Sequence, residues 1–126
     1  MSNAIVSPLF LDAEEFRRQL YVEQKRAQRS GTSFVLVMLD APAALTSVTA
    51  RQRLLEELRR SVRDTDVCGW HTGQTTVGII FTETGLGEEA SIGPALVNDI
   101  QARLKGVLSA EECEGLRLGF SVFSGL

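Results

Sequence analysis

The chain has 126 residues, which fits one domain, and its 44% hydrophobic and 23% charged residues are typical of an ordinary globular protein. The formal net charge of −3 argues against a general nucleic-acid-binding protein, because such proteins usually carry a basic surface. Cys68, Cys113 and the one histidine, His71, are too few ligands for a zinc site, so neither a metal nor a cofactor is predicted.

No stretch of the sequence predicts a signal peptide or a membrane span. The longest apolar run, Phe34–Leu39, is far shorter than the roughly 20 residues that cross a bilayer. We therefore expect a cytoplasmic protein with reduced thiols and no membrane insertion. Ser2-Asn3-Ala4 is typical of the scar left by a cleaved purification tag, so residues 1–4 are set aside. Residues 5–126 are then a single domain, which a longer chain could have contained.

The first predicted helix begins after Asp12, which forms a capping-box pattern with Glu15, and it ends at Ser30-Gly31. Its basic face is interpreted as solvated surface, with a partner-binding surface as the alternative. The continuously apolar run that starts at Ser33 predicts a central strand covered on both faces. That strand ends at Asp40, which is either a site residue or the cap of the next turn.

Residues 41–48 are expected to form a loop or a short helical turn. The pattern Thr49-x-x-Gln52 predicts the start of a second helix. The inward side chains of that helix follow the spacing of a core-facing stripe and are Leu54, Leu55, Leu58 and Val62.

A hairpin is predicted from two short apolar runs, Asp66–Trp70 and Thr75–Phe81, with the turn His71–Gln74 between them. Glu83–Gly87 is expected to be a polar loop. Pro94 is best tolerated in a first turn, so the third helix is predicted to cover about Ser91–Lys105.

Ser109 and Glu112 then indicate one more short helical turn. The alternating run Leu116–Phe123 predicts a last strand with one well-packed face. The predicted order is α-β-α-β-β-α-β, an α/β (α+β) domain with a mixed central sheet flanked by helices.

Four segments in this order resemble the GGDEF family of diguanylate cyclases, over about Phe10–Phe123. They are RAQRSGTSFVLVMLD, LRRSVRDTDVCGW, TTVGIIFTET and LRLGFSVF. The resemblance implies the palm-like fold of nucleotidyl cyclases. In the family, an aspartate that ends the first strand and an acid in the hairpin turn hold two magnesium ions, and the resemblance places Asp40 at the first position.

The family signature itself is missing from this sequence. Thr72, Gly73, Gln74, Thr75 and Thr76 stand where Gly-Gly-Asp/Glu-Glu-Phe belongs. Neutral oxygens are poor ligands for a dication that prefers carboxylates, so Asp40 is predicted to be a vestige of a metal site. No catalytic residue is assigned. His71 is disfavoured as a base because no nucleophile or orienting acid is visible beside it.

The family's inhibitory site for cyclic di-GMP is an R-x-x-D motif five residues before the signature. Arg63 and Asp66 match that motif and spacing, and the resemblance implies that they bind the ligand. Trp70 stands where the family usually has an arginine; its ring is a candidate for stacking on the ligand, but packing against a neighbouring helix is favoured. The alternative is a structural role, because an arginine is favoured at a helix C-terminus and Asp66 can hold the turn into the next strand.

The sequence therefore predicts a catalytically inactive GGDEF-like signalling domain that acts as a regulatory or protein-interaction module. One alternative is a cyclic di-GMP receptor that uses Arg63 and Asp66. The other is residual nucleotide binding, or another enzyme activity, at Asp40. A protein partner or a homodimer is expected, and nucleic acid is not.

Overall fold

The computed structural model describes residues 10–82 and 89–124, with the backbone alone for residues 89–91. It contains a mixed five-stranded sheet and four helices in these residues. In chain order, the elements are β1 (Phe10–Leu11), α1 (Ala13–Ser30), β2 (Ser33–Asp40), α2 (Pro42–Leu45), α3 (Val48–Ser61), β3 (Val67–Thr72), β4 (Thr76–Phe81), α4 (Glu89–Val107) and β5 (Arg117–Ser124). The predicted fold class is confirmed. The tag-like residues and the predicted loop Glu83–Gly87 lie outside the described residues.

The strand order in the sheet is β1-β3-β4-β2-β5. Only β1 pairs in parallel, with β3, and the other three pairings are antiparallel. The predicted hairpin is confirmed as β3 and β4, and β2 is the predicted buried strand between two neighbours. This register aligns Asp40 at the end of β2 with Thr76 on one side and with Arg117 on the other.

Each face of the sheet carries its own hydrophobic core. One core lies under α3 and α4, where Val37 and Leu39 of β2 meet Leu54 and Leu58. The other lies under α1, where Phe16 packs with Ile80. Gly78 is required beneath α1, because a Cβ at this position would approach the Phe16 ring to 2.6 Å. These two cores fix the sheet between helices and hold the ends of β2, β4 and β5 together.

The helix ends show how well local patterns specify boundaries. Asp12 accepts the predicted capping bond from the backbone N–H of Glu15 at 2.8 Å, and Gly31 ends α1 in the left-handed conformation at φ 70°. The reciprocal bonds between Ser109 and Glu112 are also present.

Several predicted boundaries were wrong. The hairpin turn comprises residues 73–75 rather than His71–Gln74, because His71 and Thr72 still belong to β3. The N-cap of α3 is Ser47 rather than Thr49, because the Ser47 hydroxyl accepts from the Ala50 N–H. The helix α4 begins at Glu89, which places Pro94 in its second turn rather than its first. The last strand runs one residue later than predicted, and its Phe120 and Val122 are exposed at about 40% instead of well packed. The sequence patterns also missed β1, whose two residues are too few to show periodicity.

Candidate functional site

Asp40 lies in a row of polar side chains that crosses three neighbouring strands. Its carboxylate accepts a hydrogen bond from the Thr76 hydroxyl at 2.8 Å, and Arg117 is its partner in register on β5. Alternation along β2 places Asp40 on the sheet face opposite to Leu39, whose side chain is fully buried. The three side chains therefore share one face at the end of the sheet.

A cleft of about 660 Å³ opens at this row. One wall comes from the segment after β2, with Pro42, Leu45 and Thr46, and the other from the hairpin turn, with Gln74 and Thr75. Gly115 and Arg117 complete the lining. The volume lies within the range of small-molecule sites, and the lining combines apolar side chains with a few polar groups, as such sites usually do.

The hairpin turn is held by its own hydrogen bonds. The Thr75 N–H and hydroxyl both donate to the Thr72 carbonyl, at 3.0 and 3.1 Å, and Gly73 has a φ of 50° that favours glycine. The Gln74 side-chain oxygen accepts from Arg51 of α3 at 2.9 Å. These contacts give the turn a defined position over the cleft.

The magnesium centre that the resemblance implies does not fit these side chains. Asp40 is the one carboxylate among the described residues that line the cleft, and the turn supplies only amide and hydroxyl oxygens. Within residues 10–82 and 89–124, no group of three or more His, Cys, Asp or Glu side chains could hold a metal ion. The donor set thus lacks the carboxylates on which a magnesium site depends.

Arg63 and Asp66 lie at a different place, in the turn between α3 and β3. Asp66 is buried and accepts from the Arg63 N–H at 2.9 Å, from the Arg63 guanidinium at 3.2 and 3.3 Å, and from the Thr82 N–H at 3.1 Å. The same guanidinium also donates to the Thr82 carbonyl. A buried carboxylate requires such partners, so this pair joins the end of α3 to the end of β4.

Trp70 is not brought together with Arg63 and Asp66. It lies four residues further along β3, about 13 Å from Asp66 at the usual rise of a strand. Trp70 is 6% exposed, with Phe10 edge-on at 5.1 Å and the Arg51 guanidinium over its ring at 5.1 Å. Its ring therefore packs inside the protein and orients Arg51 toward the hairpin turn.

His71 is half-buried at the irregularity where β3 departs from regular pairing with β4. Its Nδ1 lies 3.0 Å from the Thr72 hydroxyl, and its ring meets Phe16 edge-on. The contacts include a hydroxyl but no acid that would orient the ring, so His71 lacks the arrangement of a catalytic base.

The sequence interpretation missed two cations: Arg117, which lines the cleft, and Arg51, which donates to Gln74 of the hairpin turn. Alternation along the last strand places Arg117 only on the face opposite to its predicted apolar side chains. The signal that could have found it is topological: the start of an antiparallel partner lies near the end of β2 when the two strands are of similar length. In the observed register, Arg117 lies next to Asp40.

Comparisons with known proteins find likeness in structure. The sequence matches no family model and no curated protein. The GGDEF domain of DgcB from Caulobacter crescentus, in complex with c-di-GMP, has a TM-score of 0.69 at 15% identity over 99% of this chain and 82% of that one. A DGC protein from Thermotoga maritima has a TM-score of 0.65 at 14% identity, covering 90% and 80% of the two chains.

A further similar structure is the diguanylate cyclase SiaD from Pseudomonas aeruginosa, in complex with its activator SiaC. Its TM-score is 0.58 at 23% identity, and the match covers 90% of this chain and 46% of that one. Identities this low establish the fold alone: the chain has the fold of GGDEF diguanylate cyclase domains. No helix among the described residues is long and apolar enough to cross a membrane.

Proposed function

We propose that this chain is a GGDEF-like signalling domain without cyclase activity, which acts in the cytoplasm as a regulatory or protein-interaction module. The observation that carries the proposal is the donor set of the cleft. Asp40 stands where the family's metal-binding aspartate is expected, but the opposite wall presents Gln74, Thr75 and Thr76 instead of an acid. The signature turn has thus lost its metal ligands, while the fold that presents it is retained.

Cyclase chemistry depends on charge neutralisation at the triphosphate. Metal ions that bridge the phosphates also favour ionisation of the attacking hydroxyl. With one carboxylate already bonded to Thr76, the cleft cannot hold two such ions in the required geometry. The proposal therefore predicts that GTP is not converted here.

Incubation of the chain with GTP and Mg²⁺, followed by chromatography of the nucleotides, tests this point. We expect no cyclic dinucleotide, and the diguanylate cyclase SiaD with its activator SiaC serves as the positive control for the assay. Turnover to a cyclic dinucleotide that disappears in Asp40→Asn would overturn the proposal, since it would place the activity in this cleft.

An interaction role is supported by the exposed surface of α1. Tyr21 and Val22 are exposed beside Lys25, Arg26 and Arg29, around a shallow depression of about 300 Å³. Apolar side chains that are exposed next to charged ones are common in protein interfaces. Either a partner protein or a second copy of the chain fits this proposal, and light scattering over a range of concentrations separates a homodimer from a monomer.

A cyclic di-GMP receptor is the second candidate function. The Arg63 side chain is 56% exposed although it is bonded to Asp66, so part of the guanidinium faces solvent, where a phosphate or a guanine edge could reach it. The internal bonds of Asp66 weigh against this candidate, because an aspartate with four donors has little capacity left for a ligand.

Calorimetric titration with cyclic di-GMP decides between the two candidates. A receptor requires saturable binding that is lost in Arg63→Ala and kept in Arg60→Ala, an exposed arginine in the last turn of α3. Circular dichroism must show that both variants are folded. Absence of binding by the unaltered chain at high ligand concentration excludes the receptor.

A further inference from the structure

The cleft contains a cation that has no hydrogen-bond or ion-pair partner among the described residues. Arg117 lines the cleft and is exposed, and no described residue hydrogen-bonds or ion-pairs with its guanidinium. Its cross-strand neighbour is the Asp40 carboxylate, at the usual Cβ separation of about 5 Å, yet the two groups do not form an ion pair. An unpaired guanidinium in a concave site offers up to five N–H donors to a ligand.

Asp40 and Gln74 also keep binding capacity toward the cleft. Thr76 bonds to Oδ1 of Asp40, and no described donor reaches Oδ2. Gln74 uses its oxygen for Arg51, which leaves its two amide N–H donors without a described partner. By contrast, the hydroxyls of Thr46 and Thr75 already donate to backbone carbonyls.

Packing and an ion pair fix the position of the segments that line the cleft. Gly115 has a φ of 77°, and a Cβ at this position would approach the Pro42 ring to 2.8 Å, so glycine is required where the segment before β5 meets the wall that contains Pro42. Arg53 ties the segment before Gly115 to α3 through a two-bond ion pair with Glu112, both bonds at 3.0 Å. The cleft is therefore preorganised on both sides of the apolar surface of Pro42 and Leu45.

The charges select the type of ligand. Asp40 repels a polyanion when no metal ion lies between them, whereas Arg117 and the Gln74 amide favour one anionic group. A hydrogen-bond donor or an ammonium on the same ligand would pair with Oδ2 of Asp40. The two charges of the cleft thus match a short ligand that carries both.

We infer that this cleft binds, without a divalent cation, a small zwitterionic molecule whose anionic group contacts Arg117 and Gln74 and whose ammonium contacts Asp40. The inference rests on the proposed function, because a cleft that held magnesium would instead bring a polyphosphate to Asp40. Binding of such a molecule would provide the ligand to which the proposed regulatory module responds.

The test is a titration of the ¹⁵N-labelled chain with phosphoethanolamine in the presence of EDTA, followed by NMR. We expect saturable shifts of the amides of residues 74–76 and 115–117. Ethyl phosphate, which lacks the ammonium, should bind less tightly. Arg117→Gln should weaken phosphoethanolamine binding about tenfold or more, as loss of a charge-assisted contact does. Arg18→Gln, an exposed arginine on α1 outside the proposed interaction surface, is the matched control and should leave binding unchanged.

Asp40→Asn separates the two halves of the recognition. It should weaken phosphoethanolamine binding and bring it close to that of ethyl phosphate. Absence of saturable shifts, equal affinity for the two probes, or equal affinity of Arg117→Gln and the unaltered chain each overturns the inference. A negative titration together with no GTP turnover removes this inference alone, whereas GTP turnover removes the proposed function on which it rests.

Discussion

Two arginine–aspartate pairs in this molecule differ in how many of their hydrogen-bonding groups have partners within the protein. In the closed pair, Arg63–Asp66, the carboxylate is 1% exposed and receives four protein donors. In the open pair, Asp40–Arg117, the carboxylate receives one hydroxyl and the guanidinium has no described partner. The R-x-x-D motif that the resemblance singled out is thus the pair whose hydrogen-bonding groups are mostly bonded within the protein. The pair Asp40–Arg117, which belongs to no motif, keeps groups that can bind a ligand. Each pair can be tested by removing its charges.

The largest effect on stability is expected from the closed pair. Asp66→Asn leaves buried donors without an acceptor and removes the partner of the guanidinium, so we expect the free energy of unfolding to fall by about 3 kcal/mol. Urea denaturation followed by circular dichroism measures the change. Asp64→Asn, an exposed neighbour in the same turn, is the control and should change stability by less than about 0.5 kcal/mol. Equal stability of the two variants would show that the pair is not the structural element described here.

Cys68 lies near the closed pair and Cys113 near the open cleft, and their thiols are expected to differ in reactivity. Cys68 lies two residues after Asp66 and is fully buried, and this burial raises the pKa of its thiol to about 12. Cys113 is half-buried, packs against the core under α3 and α4, and lies two residues before Gly115 of the cleft. At pH 8, we expect a thiol reagent to modify Cys113 at least about 100-fold faster than Cys68, because Cys68 must wait for the protein to open.

Mass spectrometry of the modified chain identifies the order of reaction. Both thiols should react rapidly in urea, where the pKa of Cys68 returns to its ordinary value near 8.5. The same measurement on Asp66→Asn adds a second comparison, because loss of the closed pair should increase the modification rate of Cys68 far more than that of Cys113. Rapid modification of Cys68 in the folded chain would contradict the burial of this region.

Much of the fold was predictable because its signals are local. The capping box at Asp12, the apolar run of β2 and the hairpin with Gly73 each specify an element from a few neighbouring residues. The start of α3 was not predictable, because serine and threonine are both good N-cap residues, and only the structure shows that the Ser47 hydroxyl caps the helix by accepting from the Ala50 N–H.

The candidate site was predictable only in part, because it is assembled from distant segments. Asp40 could be chosen as the acid that ends a buried strand, and the turn could be chosen by position. Arg117 lies 77 positions later in the chain (117 − 40), and only strand pairing brings it to Asp40. The sequence likewise could not show that Asp66 is saturated, because Thr82, one of its donors, is sixteen residues away.

A smaller effect on stability is expected from the carboxylate of the open pair. Asp40→Asn keeps an oxygen that can accept the Thr76 hydroxyl bond, so we expect a loss of about 0.5–1 kcal/mol or less. The same urea denaturation measures it beside Asp66→Asn. A loss as large as that of Asp66→Asn would mean that Asp40 is a structural residue, and the contrast between the two pairs would disappear.

The smallest effect on stability is expected from Arg117→Gln, and this near-absence of effect is the most informative result. A guanidinium that supports the fold has partners whose loss is measurable, as the three bonds from the Arg63 side chain to Asp66 and Thr82 show. Arg117 makes no such bond with a described residue, so its removal should change the free energy of unfolding by less than about 0.5 kcal/mol. The measurement is a urea denaturation of Arg117→Gln beside Arg63→Gln, which removes a cation of the same type from the closed pair. Since folding does not require the charge of Arg117, a stable Arg117→Gln that also binds phosphoethanolamine less tightly would assign this residue to ligand recognition. A loss of stability equal to that of Arg63→Gln would instead assign it to the fold.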